Sequence, residues 1–215
     1  VGRVLAIRAC ALALLLPGLA PAVGAAGPER EVREYRGEKL DPFQRDYDNS
    51  IKGPQDVDRG SYRLGISGLV ATPRSLSYEQ VLALPQVERV LSLHCVEGWS
   101  EKLLFQGVRL ADLLALAGPK PGVTTIIFRA VDGYSSALPY AFVKEKDLML
   151  AARINGLVLD RERGFPFQVV AESKYGYKWV KWVSGIELSD KPHLGHWESL
   201  GYDDGAEVPP PRGGK

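Results

Sequence analysis

Val87-Glu88-Arg89-Val90-Leu91-Ser92-Leu93-His94-Cys95-Val96-Glu97-Gly98-Trp99-Ser100 is the stretch whose reading decides the fold. Val87 to Cys95 has strand composition, with Leu91, Leu93 and Cys95 on one face and Ser92 and His94 on the other. Val96-Glu97-Gly98 then breaks the run. A strand end therefore passes into a glycine-containing turn and presents Cys95 at the rim of a sheet. His94, when cationic, favours the thiolate that a nucleophile or a metal ligand requires. The competing reading is a buried cysteine that packs as a small hydrophobe.

On either side the same mixture of short elements continues. Tyr62-Arg63-Leu64-Gly65-Ile66 alternates as a strand, and Thr72-Pro73 closes it. Ser77-x-x-Gln80 has the form of a capping box, with Leu76 and Val81 as a hydrophobic staple, and predicts a short helix to about Leu84. Lys102–Gln106 predicts a strand, and Leu110–Ala117 a helix stopped by Gly118. Thr124–Val131 is β-rich and turns at Asp132-Gly133. Asn155-Gly156, between Leu148–Ile154 and Leu157–Leu159, is the strongest hairpin signal. Phe165–Ala171 and Tyr177–Leu188 complete the expected strands. Mainly strands with a few short helices predict a single α+β domain of mixed sheets.

The 215 residues are 45% hydrophobic and 25% charged, ordinary globular composition that excludes collagen-like, largely disordered and polytopic membrane chains. The formal net charge of +1 gives no electrostatic claim on nucleic acid. Residues 1–25 read as a cleaved export signal: Arg3 and Arg8, an apolar Ala9–Leu16, then small-residue cleavage patterns. That apolar run is too short for a stable membrane span. Residues 26–60 read as an extended arm, 61–203 as the folded domain, and 204–215 as a disordered tail. Cys10 leaves with the signal, so Cys95 stands alone in a periplasmic or secreted protein. A lone thiol in an oxidising compartment is a liability unless buried or ligated.

Two other groupings invite chemistry. Lys174-Tyr175-Gly176-Tyr177-Lys178-Trp179-Val180-Lys181-Trp182 alternates basic and aromatic residues on an expected strand. It suits a single-stranded nucleic acid platform or, in the plainer reading that the neutral charge favours, an amphipathic strand. His94, Cys95, His193 and His196 make a possible zinc set, although neighbours on a strand face opposite ways. Dinucleotide, Walker and nucleophile-elbow motifs are absent from the sequence.

His94-Cys95-Val96-Glu97-Gly98-Trp99-Ser100, followed by Gly107-Val108-x-Leu110-x-Asp112-Leu113-Leu114, resembles the central motif of sulfite-oxidase-like molybdopterin oxidoreductases. The likeness is nearest the branch of bacterial periplasmic methionine sulfoxide reductase catalytic subunits. It continues through Asp132-Gly133-Tyr134, Asn155-Gly156, Gly164-Phe165-Pro166, Lys174–Lys178 and Gly195-His196-Trp197-Glu198-x-x-Gly201-Tyr202, over roughly residues 45–203. The resemblance implies a molybdopterin cofactor, with molybdenum held by the pterin dithiolene and the Cys95 thiolate. By position it implies cofactor contacts from Asn49, His94, Arg163, Trp179, Val180 and Lys181. It also implies oxygen-atom transfer on a small-molecule substrate, as S-oxide or N-oxide reduction or sulfur-oxyanion oxidation, with a haem protein as electron partner. Gln168 stands where the family reductase has arginine, and Ala130 where it has threonine; no twin-arginine pair marks the leader. A domain of this fold that has lost its cofactor and serves as a binding module is the alternative. A thiol enzyme using Cys95 alone lacks a resolving cysteine.

Overall fold

A computed structural model describes residues 30–44 and 49–209; the expected signal, 1–25, and residues 210–215 lie outside them. In chain order the strands begin with β1 (Glu34–Tyr35), β2 (Glu38–Lys39), β3 (Leu64–Gly68) and β4 (Arg74–Leu76). The central strands are β5 (Gln86–His94), β6 (Ser100–Arg109), β7 (Thr125–Ala130) and β8 (Ser135–Pro139). β9 (Met149–Ile154), β10 (Leu157–Val158), β11 (Gln168–Val170) and β12 (Val183–Ser189) follow. Four short helices are interspersed: α1 (Tyr78–Leu82), α2 (Leu110–Ala117), α3 (Tyr140–Glu145) and α4 (His196–Ser199).

β5 and β6 pair in register from Gln86↔Val108 to His94↔Ser100, so one long hairpin ends at Cys95. It joins β9 and β10 in the order β10-β9-β6-β5, with β11 also paired to β9. Gly107 is required where β6 meets β9, because a Cβ there would lie 2.1 Å from the Leu150 carbonyl oxygen. The second sheet runs β4-β3-β12-β7-β8, with β12 parallel to β3 and antiparallel to β7. One continuous core joins the sheets and includes Leu103, Phe105, Phe128, Leu150, Phe167 and Ile186. Each such side chain contributes about 1.5–3 kcal/mol by leaving water.

Local chemistry made the expected elements where it is strong. The Ser77–Gln80 capping box forms in both directions. Gly118 caps α2 in the left-handed conformation, and Asn155-Gly156 turns β9 into β10. Two expectations change. Tyr177–Leu188 is not one strand: a 3₁₀ turn at Gly176–Lys178 and an irregular run to Trp182 precede β12. Lys178, Trp179 and Val180 are all buried, which a two-residue alternation does not allow. The described part of the expected tail, residues 204–209, also packs on the domain: Tyr175 N donates to Ala206 O at 2.8 Å and Val208 N to Ser173 O at 2.9 Å. The extended arm packs on the domain. Leu40 and Phe43 are buried, Val32 N donates to Asn155 O, and Asp41 N donates to Lys102 O.

Candidate functional site

The β5–β6 turn is fixed by its own backbone, with Cys95 N donating to Trp99 O at 2.9 Å and Gly98 N to Cys95 O at 3.1 Å. Gly98 has φ +92°, a conformation that glycine enters at little cost. The turn holds Cys95, half-buried, against a cavity of about 380 Å³. Asn49 from the arm reaches the same place, its Nδ2 lying 3.7 Å from Cys95 Sγ and 3.3 Å from Glu97 Oε2. Glu97 Oε2 also accepts from Trp99 Nε1 at 3.0 Å and from the Cys95 thiol at 3.6 Å. Those three hydrogen bonds, Trp99 foremost, hold the Glu97 carboxyl below its ordinary value. Burial first, and the Glu97 charge after it, push the Cys95 thiol up.

The opposite wall is the irregular segment. His94 and Tyr175 form a parallel bridge that brings it beside the cysteine strand. Trp179, Val180 and Lys181 line the cavity, as does Gln168 at the start of β11. Lys181 Nζ donates to Glu162 O at 3.1 Å and sits 4.4 Å from the Trp182 ring centroid. The β7–β8 turn supplies Asp132 and Tyr134, and the end of the domain supplies Trp197 and Tyr202. Trp197 is set by the next residue: Glu198 Oε1 accepts from buried Lys178 Nζ at 2.6 Å and from Ser136 Oγ at 2.5 Å.

The structure brings Cys95, Asn49, Trp179, Val180 and Lys181 together, but not every residue inferred from sequence. His94 does not line the cavity, consistent with alternation that sets it on the other face from Cys95. Arg163 does not line it either. It is 3% exposed, and its Nη1 and Nη2 donate to Glu101 at 2.9 and 3.2 Å. Its Nε donates to Phe43 O at 2.7 Å, so the guanidinium binds the arm to β6. Ala130 is buried and also absent from the lining. The zinc set is not assembled: no group of three or more His, Cys, Asp or Glu side chains suited to a metal occurs among the described residues. His193 Nε2 lies 3.0 Å from Ser135 Oγ, and the His196 ring packs on Tyr134 and Trp197.

Asp132 is the residue that sequence reasoning passed over. Its Oδ1 accepts from Tyr134 N at 2.8 Å, the ordinary signature of a turn aspartate, which is why the sequence reads as turn chemistry alone. Its Oδ2 is buried with no hydrogen-bond partner among the described residues. Leaving a buried acceptor unmatched costs about 1–3 kcal/mol, so such an atom in a cavity wall asks for a donor from a ligand. A pterin edge carries N–H donors. Cys95 offers the soft sulfur that molybdenum takes, and Lys181 is a cation for a phosphate. The residues present fit the cofactor that the resemblance implies. Asp132, Gln168, Asn49 and Lys181 would hold its organic part, and Cys95 its metal.

Comparison with known proteins agrees. Residues 51–197 match the family described as oxidoreductase molybdopterin binding domain. The chain is 37% identical over 150 residues to the uncharacterized oxidoreductase YuiH of Bacillus subtilis, covering 69% of this chain and 76% of that one. It is 33% identical over 161 residues to the protein-methionine-sulfoxide reductase catalytic subunit MsrP of Gluconobacter oxydans, covering 66% of this chain and 52% of the relative. The chain thus spans about half the length of that reductase subunit. Among solved structures, the sulfane dehydrogenase SoxCD of Paracoccus pantotrophus superposes with a TM-score of 0.62 at 28% identity. The match covers 65% of this chain and 41% of the SoxCD chain. Fold, cavity and relatives coincide: the chain belongs to the molybdopterin-binding oxidoreductase family, enzymes of the sulfite-oxidase-type α+β fold whose cofactor is molybdopterin.

Proposed function

We propose that this protein is an exported oxygen-atom-transfer enzyme that reduces organic S-oxides at a molybdenum centre ligated by Cys95. The observation that carries the direction is the charge of the cavity wall. Among the described residues that line it, Lys181 is the one cation, no arginine is present, and three tyrosines and four tryptophans contribute to the wall. A sulfur oxyanion needs several fixed cations to leave water, whereas a neutral sulfoxide with alkyl substituents suits an aromatic wall. The relatives named as methionine sulfoxide reductase subunits support the same direction.

When bound, the cofactor supplies a metal that cycles by two electrons and exchanges an oxygen atom. The protein's own part is to fix, shield and orient. The Cys95–Trp99 turn sets the thiolate at one point, and Trp99, Tyr134, Trp197 and Tyr202 exclude water from its surroundings. Tyr134 OH donates to Tyr177 O at 2.5 Å and Tyr177 OH to Asp203 O at 2.6 Å, so these phenols brace the wall. Burial pushes the Tyr177 phenol up to about 12, and it stays neutral throughout the working range. Reduction of a sulfoxide to a sulfide consumes two electrons and two protons and releases water. The electrons would come from a haem protein. Export rests on the reading of residues 1–25; no helix among the described residues is long and apolar enough to cross a membrane.

The test uses holoenzyme from a host that makes the cofactor. Oxidation of a reduced viologen is followed with methionine sulfoxide, and reduction of ferricyanide with sulfite. Sulfoxide turnover with molybdenum and pterin near equimolar to protein is the expected result. Sulfite turnover alone would overturn the direction. Protein free of molybdenum from that host would favour the binding-module alternative, toward which Gln168 points.

A further inference from the structure

We propose that Glu97 acts as a charge filter at the mouth of the cavity, favouring S-oxides that carry a positive charge over those that carry a negative one. The inference rests on the S-oxide reading above and adds to it the side chain that selects among substrates. Glu97 lies two residues beyond Cys95 on the exposed part of the turn, its Oε2 3.6 Å from the sulfur. A substrate whose oxygen approaches the centre beside Cys95 comes near this carboxylate. Its three hydrogen bonds, from Cys95, Asn49 and Trp99, all fall on Oε2.

The carboxylate is held in position. Trp99 Nε1 at 3.0 Å and Asn49 Nδ2 at 3.3 Å fix it from the turn and from the arm, so its charge stays at the entrance. Among the described residues that line the cavity there is one cation. The Lys181 ammonium is directed at the Glu162 carbonyl and the Trp182 ring. Arg163 is committed to Glu101. Asp132 adds a second carboxylate to the lining. Glu97 is exposed, so its field acts at the mouth of the cavity and is screened by salt. Cationic substituents would also meet the faces of Trp99 and Tyr202, which attract positive charge.

Three S-oxides that differ in one fixed charge test the filter: (methylsulfinyl)ethyl-trimethylammonium, (methylsulfinyl)ethanol and (methylsulfinyl)acetate. With holoenzyme and an artificial electron donor, kcat/KM is expected to fall in that order. The cation should exceed the anion by about tenfold at low ionic strength. Raising salt from about 10 mM to about 0.5 M should collapse the span. The corresponding sulfones, which are not turned over, should bind oxidised holoenzyme in the same order by tryptophan fluorescence. Glu97→Gln that still carries molybdenum should show a flattened order in both measurements. An equal or reversed order at low salt, or an order that persists in Glu97→Gln, would overturn the filter. If none of the three S-oxides is reduced, the reductase reading fails, and sulfone binding decides the filter by the same two outcomes.

Discussion

One wall of the cavity, Cys95 to Trp99, closes a hairpin whose nine residue pairs keep register from Gln86 to His94. The facing wall, Lys174 to Trp182, has a single bridge to that hairpin, a 3₁₀ turn, and a non-glycine residue, Trp182, at φ +51°. The first wall is held by a ladder, the second by a buried ion pair. Lys178 Nζ donates to Glu198 Oε1, to Asp204 Oδ1 at 2.9 Å and to Ala137 O at 3.1 Å. It thereby fastens the segment to α4 and to the loop beyond it. A ladder spreads its energy over many bonds, whereas a buried pair concentrates it in one, so the two walls should fail differently when broken.

The ladder wall should tolerate loss of its reactive group. Cys95→Ser is expected to leave folding unchanged, because the turn is fixed by backbone bonds that do not use the sulfur. Activity should fall by more than the about 10–100-fold that loss of an outer partner of a metal site costs. Serine supplies a harder oxygen that ionises far less readily. Thermal melting, molybdenum content and viologen oxidation measured together check this. A serine variant with full activity would remove Cys95 from the centre.

The pinned wall should be the weak one. Lys178→Met leaves the Glu198 carboxylate buried without its cation, at a cost of about 3–5 kcal/mol. For a domain of this size that lowers Tm by about 10 °C. Lys178→Met with Glu198→Leu removes both charges and should recover most of the loss. Arg163→Met strands Glu101 in the same way and should cost about as much. Its damage, however, falls on the arm and β6, so cofactor content should survive it better than in Lys178→Met. Equal loss of cofactor in both variants would show that the Lys178 pair does not serve the cavity in particular.

The same contrast explains what could be read in the sequence. The Cys95 turn, the Asn155-Gly156 hairpin and the Ser77 capping box rest on contacts a few residues apart, and local pattern encodes them. The second wall depends on partners far along the chain: Lys178 with Glu198, Lys174 with Glu207, Tyr134 with Tyr177. Alternating lysines and aromatics therefore read as a strand, although two of the lysines, Lys174 and Lys178, are buried together with Trp179 and Trp182. Arg163 misled for a related reason: its position in the motif gave no sign that Glu101 and the Phe43 carbonyl would occupy it. The family's sequence likeness located the cavity, and only three-dimensional placement separated residues that face it from those that brace it.

Asp132 separates stability from binding within the cavity. Asp132→Asn keeps the acceptor for Tyr134 N and replaces the stranded Oδ2 with an amide. Cofactor-free protein should be about as stable as wild type, since a buried amide without an acceptor takes the place of a buried oxygen without a donor. Cofactor retention through gel filtration should drop, because a donor now meets the donors of the pterin edge. Retention equal to wild type would show that Oδ2 does not receive the ligand.

Gln168→Arg is the smallest expected effect. Gln168 starts β11, is 4% exposed, and lines the cavity on the side of the pinned wall, at the position where the resemblance implies an arginine. A glutamine amide is neutral, whereas a guanidinium binds phosphate through two charge-assisted hydrogen bonds. Lys181 is the one cation now lining the cavity among the described residues, so the phosphate of the cofactor has little to grip. If the space beside Gln168 takes that phosphate, restoring arginine should tighten retention by about 1–2 kcal/mol, the scale of a charged hydrogen bond. The reading is the molybdenum-to-protein ratio after dialysis, wild type against variant, from the same host. A fall instead of a rise would mean that the new cation meets the Lys181 ammonium with no anion between them. The phosphate would then lie elsewhere, and the pinned wall of this chain would hold its cofactor through backbone and Lys181 alone.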